Sequence, residues 1–346
     1  MIRTLHSLRF VFIMLVVISH IPPYRFDFGG EVGVAFFFIL SGFVLAYAYG
    51  ERIRDGQFHH VQFLKKQFSK IYPLYLLTLV VMLLMNARLG ITYGWPVHVS
   101  HVLLLQSWIP DEDFYFANNG PAWFLSGLFF FYLIFPWLYK WLTETAFRRL
   151  MLVGVLLLAL YVFAVLLLAE YQEMFYVFPL FRLPDFCLGI LLARCYRTSQ
   201  TSWLPERLRT MSAAMMTAWE LLFVAWIVGA FFVFSCVPPV WRYASFFWIV
   251  LPPFIFAFIL ADKYRGLITA LLHHPVLQSL GTVTLEVYLL HSMVLRFMNH
   301  LLGADEETMT KPLHVILLLG GTVVVAYFMK YCFVNPVYLR LCNEKK

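Results

Sequence analysis

Apolar runs of helix length recur from one end of the chain to the other, parted by short polar segments. About 20 consecutive apolar residues cross the hydrocarbon of a bilayer as an α-helix, which satisfies its own backbone hydrogen bonds in lipid. The pattern predicts ten spans, at about 5–21, 33–50, 71–88, 121–140, 151–169, 179–196, 212–235, 244–261, 279–299 and 313–334. The polar gaps alternate in charge. Arg52, Arg54, Lys65, Lys66 and Lys70 follow the second span, Lys140, Arg148 and Arg149 the fourth, and Arg194, Arg197, Arg207 and Arg209 the sixth. Lys263 and Arg265 follow the eighth, and Arg340, Lys345 and Lys346 close the chain. The opposite gaps carry only Arg25, Arg88, Arg242 and Lys311, with the acidic runs Asp111–Asp113 and Asp305–Glu307. By the positive-inside rule both termini are cytoplasmic. The expected fold is an all-α polytopic membrane protein of about ten transmembrane helices. With no internal repeat and no soluble segment, residues 1–346 read as a single membrane-embedded domain.

Composition agrees with that reading. Of 346 residues 62% are hydrophobic and 13% charged, and the mean hydropathy is +0.76, outside the range of soluble domains. The 36 Phe, 19 Tyr and 10 Trp suit interfacial belts and helix packing. The net charge of +7 lies in loops where it sets topology, so it indicates no nucleic-acid partner. Arg3 and the apolar run after it resemble a signal peptide. The run lacks a small-x-small cleavage site and contains Arg9, so it is read as a retained first span. The five cysteines show no C-x-x-C spacing and read as packing residues or cytoplasmic thiols.

Polar residues inside the apolar runs carry the chemistry. Arg9 and His20 are eleven residues apart in the first span, almost three helical turns, so both lie on one stripe about 16 Å apart along the axis. An intramembrane arginine marks a functional site by default, and an imidazole moves protons near neutral pH. Glu31 follows a few residues later on the outer side, where it can orient or charge-balance an imidazole. Gly33 and Gly42 read as helix-packing glycines, and Ser41 as bonding back to its own helix. At the cytoplasmic face Lys66 and Lys70 precede Tyr72. The lysines suit a polyphosphate as point charges, and Tyr72 suits stacking on a nucleotide base. The outer loop, roughly 89–120, is long enough to be functional or folded against the bundle. Asn119 and Trp123 at its end are acceptor-side candidates, Trp123 as a ring face for a sugar. Arg182 and Asp185 read as a structural ion pair. His98, His101, His59, His60, His273 and His274 read as loop or interface histidines, and no ligand spacing predicts a metal.

Taken in order, these segments resemble the acyltransferase-3 family of integral membrane O-acyltransferases. The resemblance runs through Arg9 and His20, Gly33-Val34 with Phe37-Phe38-Ile39-Leu40-Ser41-Gly42-Phe43, and Lys70-Ile71-Tyr72-Pro73-Leu74-Tyr75. It continues through Asn119 to Ser126 with Tyr132 and Pro136, Phe181 to Gly189, and Leu285 to His291. It implies transfer of an acyl group, most often acetyl, from cytoplasmic acetyl-CoA to a hydroxyl of an extracytoplasmic or lipid-linked glycan, at the cell inner (plasma) membrane. It implies a ten-helix core, His20 as the catalytic histidine with Arg9 as its companion, and the basic motif on the coenzyme's phosphates. Two departures stand out. Lys66, Gln67 and Lys70 occupy a motif often rich in arginine. Gly127-Leu128-Phe129 stands where many members carry a glutamate, so any role for that carboxylate is either absent or supplied elsewhere, with Glu31 and Asp185 as candidates. In this scheme His20 either deprotonates the acceptor hydroxyl or first takes the acyl group itself. The spacing puts Arg9 in the donor channel and His20 at the point of transfer. A different class remains open from the residues alone: a transporter or flippase of lipid-linked saccharides, using Arg9, Glu286 and His291 along a permeation path.

Overall fold

The computed structural model describes residues 2–21, 27–168, 170–200, 204–243, 245–264, 266–302 and 311–342. Among them the regular structure is entirely helical. Among the described residues ten helices cover the ten apolar runs read as spans: α1 (Arg3–Ser19), α2 (Asp27–Arg54), α3 (His60–Arg88), α4 (Trp123–Glu144), α5 (Phe147–Leu167), α6 (Pro179–Ser199), α7 (Ala213–Phe234), α8 (Ser245–Ala261), α9 (Thr284–Leu302) and α10 (Pro312–Met329). Seven stretches are both long and apolar enough to cross a membrane: Phe28–Arg54, His60–Arg88, Gly120–Glu144, Phe147–Leu167, Glu173–Ser199, Ala213–Phe234 and Pro312–Cys342. The other three are shorter or more polar. α1 and α8 have 17 residues each, and α9 carries Glu286, His291 and Arg296 within its 19 residues. Arg25, Arg265, Asp305–Glu307, Lys345 and Lys346 lie outside the described residues.

Three helix starts differ from the sequence reading by five residues or more. α2 starts at Asp27 rather than 33. α9 starts at Thr284 rather than 279, because a separate short helix, Pro275–Gly281, precedes it. α3 starts at His60 rather than 71 and runs for 29 residues, about 43 Å at helical rise. Its length exceeds the hydrocarbon core, so the lysine-bearing segment before residue 71 is helix rather than loop. α5 and α7 expose Leu152, Val155, Leu156, Phe163, Leu221, Leu222 and Phe232. Such all-round apolar helices require lipid as their solvent.

The chain divides into two compact units. The first comprises Met1–Leu8, Val34–Phe58 and Phe130–Gln278. Here α2 crosses α6 at Gly42 and Gly189. A Cβ at 189 would overlap the Ile39 carbonyl oxygen and stand 2.7 Å from the Phe43 nitrogen. The small-residue contact lets two backbones touch. Ser41 donates to Phe37 O at 2.7 Å, the back-bond expected of it. Arg182 and Asp185 form an ion pair at 3.0 Å with both side chains fully buried, and Arg182 also donates to Tyr243 O. Buried Glu220 accepts from the backbone N–H groups of Gly266, Ile268 and Thr269, satisfying the open N-terminus of the short helix Leu267–Leu272.

The second unit comprises Arg9–Gly33, His59–Phe129 and Ser279–Lys346. In it α3 and α10 both pack on α9. α10 runs through a π-helical turn, Lys330–Val334, into a last helix, Asn335–Cys342. The segment between α3 and α4 folds into Trp95–Val102, Glu112–Tyr115 and two 3-10 turns, then packs back along α3. Tyr75 donates its hydroxyl to His101 O at 2.7 Å, and Ser107 donates to Trp123 O at 2.7 Å.

His101, read from sequence as a loop histidine, is fully buried. Its Nε2–H donates to Phe114 O at 2.7 Å. Burial lowers its pKa to about 4, with the Phe114 bond opposing and His98 adding to the shift. The unfolded chain therefore takes up this proton first as pH falls from about 6.5 toward 4. The stability contributed by neutral His101 is present above that window and is lost on acidification, by about 2 kcal/mol at pH 5. Thermal unfolding in detergent at pH 7.5 and 5.0 should show this loss in the native protein. His101→Gln should remove that part of the pH dependence; an unchanged dependence would refute the assignment.

Candidate functional site

The residues singled out at positions 9, 20, 31, 66, 70, 72, 119 and 123 all belong to the second unit. α1 runs unbroken from Arg9 to Ser19, so the arginine and the histidine keep their separation of about 16 Å. His20 sits in the turn that ends α1, with its backbone N–H on Val17 O at 3.1 Å. Its Nδ1 lies 2.7 Å from Val16 O. A carbonyl only accepts, so Nδ1 carries the proton and the basic lone pair is on Nε2. The Ser19 hydroxyl donates to the same carbonyl at 2.7 Å.

Facing His20 is His291 of α9, with ring centroids 5.0 Å apart and planes at 63°. His291 is 1% exposed. Its Nδ1 donates to Tyr288 O at 2.7 Å, while its Nε2 is buried with no hydrogen-bond partner. Two imidazoles thus meet edge to face, each with its tautomer set by a carbonyl of its own helix. Such a pair can receive a proton and share it.

The end of the α3–α4 segment is fastened beside this pair. Asn119, fully buried, donates from Nδ2 to Leu289 O at 3.0 Å and to the Thr78 hydroxyl at 3.4 Å. Its Oδ1 is buried without a partner. The Tyr288 hydroxyl donates to Pro121 O, and the Phe124 ring packs on Tyr288 at 5.4 Å. Trp123 begins α4, buried at 4% exposure. Asn118 adopts a left-handed backbone, φ 54°, which asparagine tolerates better than most residues. It accepts from Asn86 at 3.3 Å, and Asn86 accepts from Arg296 at 3.1 Å. Glu31 is buried on α2, next to Gly30, where an added Cβ would stand 3.0 Å from the Ser19 hydroxyl.

A second cluster forms around Lys70. Arg9 of α1, Glu286 of α9, Lys330 of the π-helical turn and Lys66 make up its charged surroundings. Lys66 and Lys70 are four residues apart on α3 and both keep exposed surface, so they present one basic face. Lys330 donates its ammonium to Thr282 O. Glu286 is 4% exposed, and its Oε2 has no hydrogen-bond partner. Four cations around one carboxylate leave a strong excess of positive charge. Tyr72 stacks on Phe68 at 4.2 Å and donates its hydroxyl to Val102 O at 2.8 Å.

Sequence reasoning held His291 as the end of the Leu285–His291 run and a second-line candidate for the polar interior, named Glu286 singly only for a permeation path, and missed Lys330. No spacing rule joins position 20 to 291, and Lys330 reads locally as one more topogenic lysine. Asp185 is committed to Arg182 in the other unit. Among the described residues no three His, Cys, Asp or Glu side chains stand together as metal ligands.

The second unit thus brings together a half-buried imidazole at the end of α1, a buried one on α9, and a basic cluster drawn from α1, α3 and the π-helical turn. Residues 2–331 match the family model of the acyltransferase-3 acyltransferase domain, and the chain belongs to that family. It is a membrane acyltransferase. It is 30% identical over 295 residues to the acyltransferase MdmB of Streptomyces mycarofaciens, covering 80% of this chain and 71% of that protein. It is 39% identical over 80 residues to protein 2 in the picA locus of Rhizobium radiobacter, covering 22% of this chain and 42% of that one. No solved structure matches the chain.

Proposed function

We propose that this acyltransferase moves an acetyl group from cytoplasmic acetyl-CoA to a hydroxyl of an extracytoplasmic or lipid-linked glycan. It does so as a single ten-helix domain of the inner (plasma) membrane with both termini cytoplasmic. The observation that carries the reading is the His20–His291 pair, 5.0 Å between centroids. The acceptor hydroxyl gives its proton to His20 Nε2 as its oxygen bonds to the thioester carbonyl carbon. The C–S bond then breaks, and the proton passes to the departing sulfur. While the proton is held, the new N–H of His20 needs an acceptor, and the unpartnered His291 Nε2 supplies one. Water-poor surroundings strengthen such a bond.

Lys66, Lys70 and Arg9 form the donor side, their positive charge matching the phosphates of the coenzyme. The outer face of the Phe68–Tyr72 stack offers a surface to its base. Glu31, Asn119 and Trp123 form the acceptor side. Asn119 Oδ1, buried and unpartnered, suits a sugar hydroxyl donor, and Trp123 suits the apolar face of a ring.

The direct test is incubation of purified protein with radiolabelled acetyl-CoA and candidate glycans. Label on the acceptor supports the reading; movement of saccharide without label transfer overturns it in favour of a transporter. Replacing Lys66 and Lys70 together with alanine should raise KM for acetyl-CoA about tenfold or more with little change in kcat, at about 1 kcal/mol per lost contact. An unchanged KM would remove these lysines from the donor site. His291→Gln should lower kcat by about 10- to 100-fold, leave that KM in place and move the acid limb of the pH–rate profile. A packing role alone would leave the limb where it is.

A further inference from the structure

The first unit contains a cavity of about 250 Å³ lined by Arg54 of α2, Tyr139, Thr143 and Glu144 of α4, and Arg194 and Arg197 of α6. These residues stand at the C-terminal ends of three membrane-crossing stretches, Phe28–Arg54, Gly120–Glu144 and Glu173–Ser199. The cavity therefore opens at the boundary between hydrocarbon and water.

Capping accounts for only part of this arginine cluster. Arg194 donates from Nη1 to Leu142 O at 2.8 Å and Thr145 O at 3.4 Å, the expected use of a cation at a helix C-terminus. Arg197 does something else. It donates to the Tyr139 hydroxyl at 2.9 Å and to Ala46 O and Tyr47 O at 3.0 and 3.2 Å, carbonyls that lie inside α2 rather than at its end. Arg54 has Asp55 as its ion partner at 3.7 Å, with the two side chains 65% and 55% exposed, a pair of small worth. Three guanidinium groups stand against the carboxylates of Glu144 and, beside Arg54, Asp55, so the cavity wall keeps a net positive charge.

The bonds to Tyr139 and to the helix carbonyls hold two guanidinium planes in place before any ligand arrives. Each guanidinium has five N–H donors, more than these bonds consume. Fixed, forked donors with excess positive charge match the oxygens of a phosphate ester better than those of any neutral group.

We infer that this cavity binds a phosphate ester, with the headgroup of an anionic phospholipid and a soluble phosphate compound as the two possible sources. It stands in a different unit from the transfer site and does not depend on the identity of the donor or acceptor. Bound phosphate would tie the ends of α2, α4 and α6 together and so raise the stability of the unit.

The purified protein is reconstituted into nanodiscs of phosphatidylcholine alone or with phosphatidylglycerol, and its unfolding temperature is measured in each. In parallel, detergent-solubilised protein is titrated with inorganic phosphate and pyrophosphate. Anionic lipid should raise Tm by about 3 °C, and Arg54→Gln and Arg197→Lys should each lose at least half of that rise. Arg148→Gln, which neutralises a cation outside the cavity, should keep it and so control for general attraction of a basic protein to an anionic bilayer. Because the readout is a difference between two lipids, a lower absolute Tm in a variant does not obscure it. A rise with lipid alone identifies a headgroup site, and an equal rise with millimolar phosphate identifies a site for soluble phosphate. No rise under either condition, or a rise that all three variants share equally with the native protein, overturns the inference.

Discussion

His20→Asn should yield a folded membrane protein that has lost acyl transfer, with kcat reduced by about 10³-fold or more. The substitution isolates one atom. The asparagine amide reproduces the Nδ1–H bond to Val16 O, which is 2.7 Å in the native protein, and so preserves the end of α1. It has nothing in place of the Nε2 lone pair. A positioned general base contributes about 10²- to 10⁴-fold, and a nucleophilic imidazole would contribute through the same nitrogen. His20→Ala should be as inactive and somewhat less stable, because it also loses the bond to Val16. Activity is read as label moved from acetyl-CoA to acceptor, and folding as a monodisperse peak in detergent. Native turnover in the folded asparagine variant would remove His20 from the chemistry altogether.

Gly189→Leu fails earlier, at folding. A Cβ at that position overlaps the Ile39 carbonyl oxygen and stands 2.7 Å from the Phe43 nitrogen, and the reciprocal Cβ at Gly42 would reach 3.2 Å from the Cα of Gly189. The obstacle is backbone on both sides, so no rotamer change relieves it. The helices must separate, giving up the packing that holds membrane helices together where water supplies no hydrophobic drive. The cost is at least about 3 kcal/mol, the upper range for overpacking, and the expected outcome is aggregated or degraded protein. Gly320→Ala is the matched control. Nothing lies within 4 Å of a Cβ there, so the change should be neutral or stabilising by up to about 1 kcal/mol through helix propensity. Equal behaviour of the two variants would refute the close crossing.

The apolar helices were legible because lipid leaves the backbone few choices: an apolar run of helix length becomes a helix whatever surrounds it. Ends were less legible. The lysines before residue 71 read as loop because they are charged, yet α3 continues through them from His60, since nothing between 60 and 70 breaks a helix and charged residues are at home beyond the hydrocarbon. Arg9 and His20 were legible as a stripe because helical geometry relates residues eleven apart without help from any other segment. Asn119 and Trp123 were visible as polar and aromatic residues at a span entry, while the attachment of Asn119 to Leu289 and of Pro121 to Tyr288 on α9 was not.

The sequence by itself determined the helical class, the places of the apolar helices, the charge asymmetry of the loops and the stripe on α1, because these follow from local hydrophobicity and helical period. Only the tertiary structure decided which polar residues share a site. It set His291 against His20 across 271 positions of chain, drew Glu286 and Lys330 to Lys70, and folded the 89–120 segment back along α3 so that His101 is buried. Such partnerships arise from the packing of helices distant in sequence, where a side chain's environment depends on neighbours that no local pattern specifies.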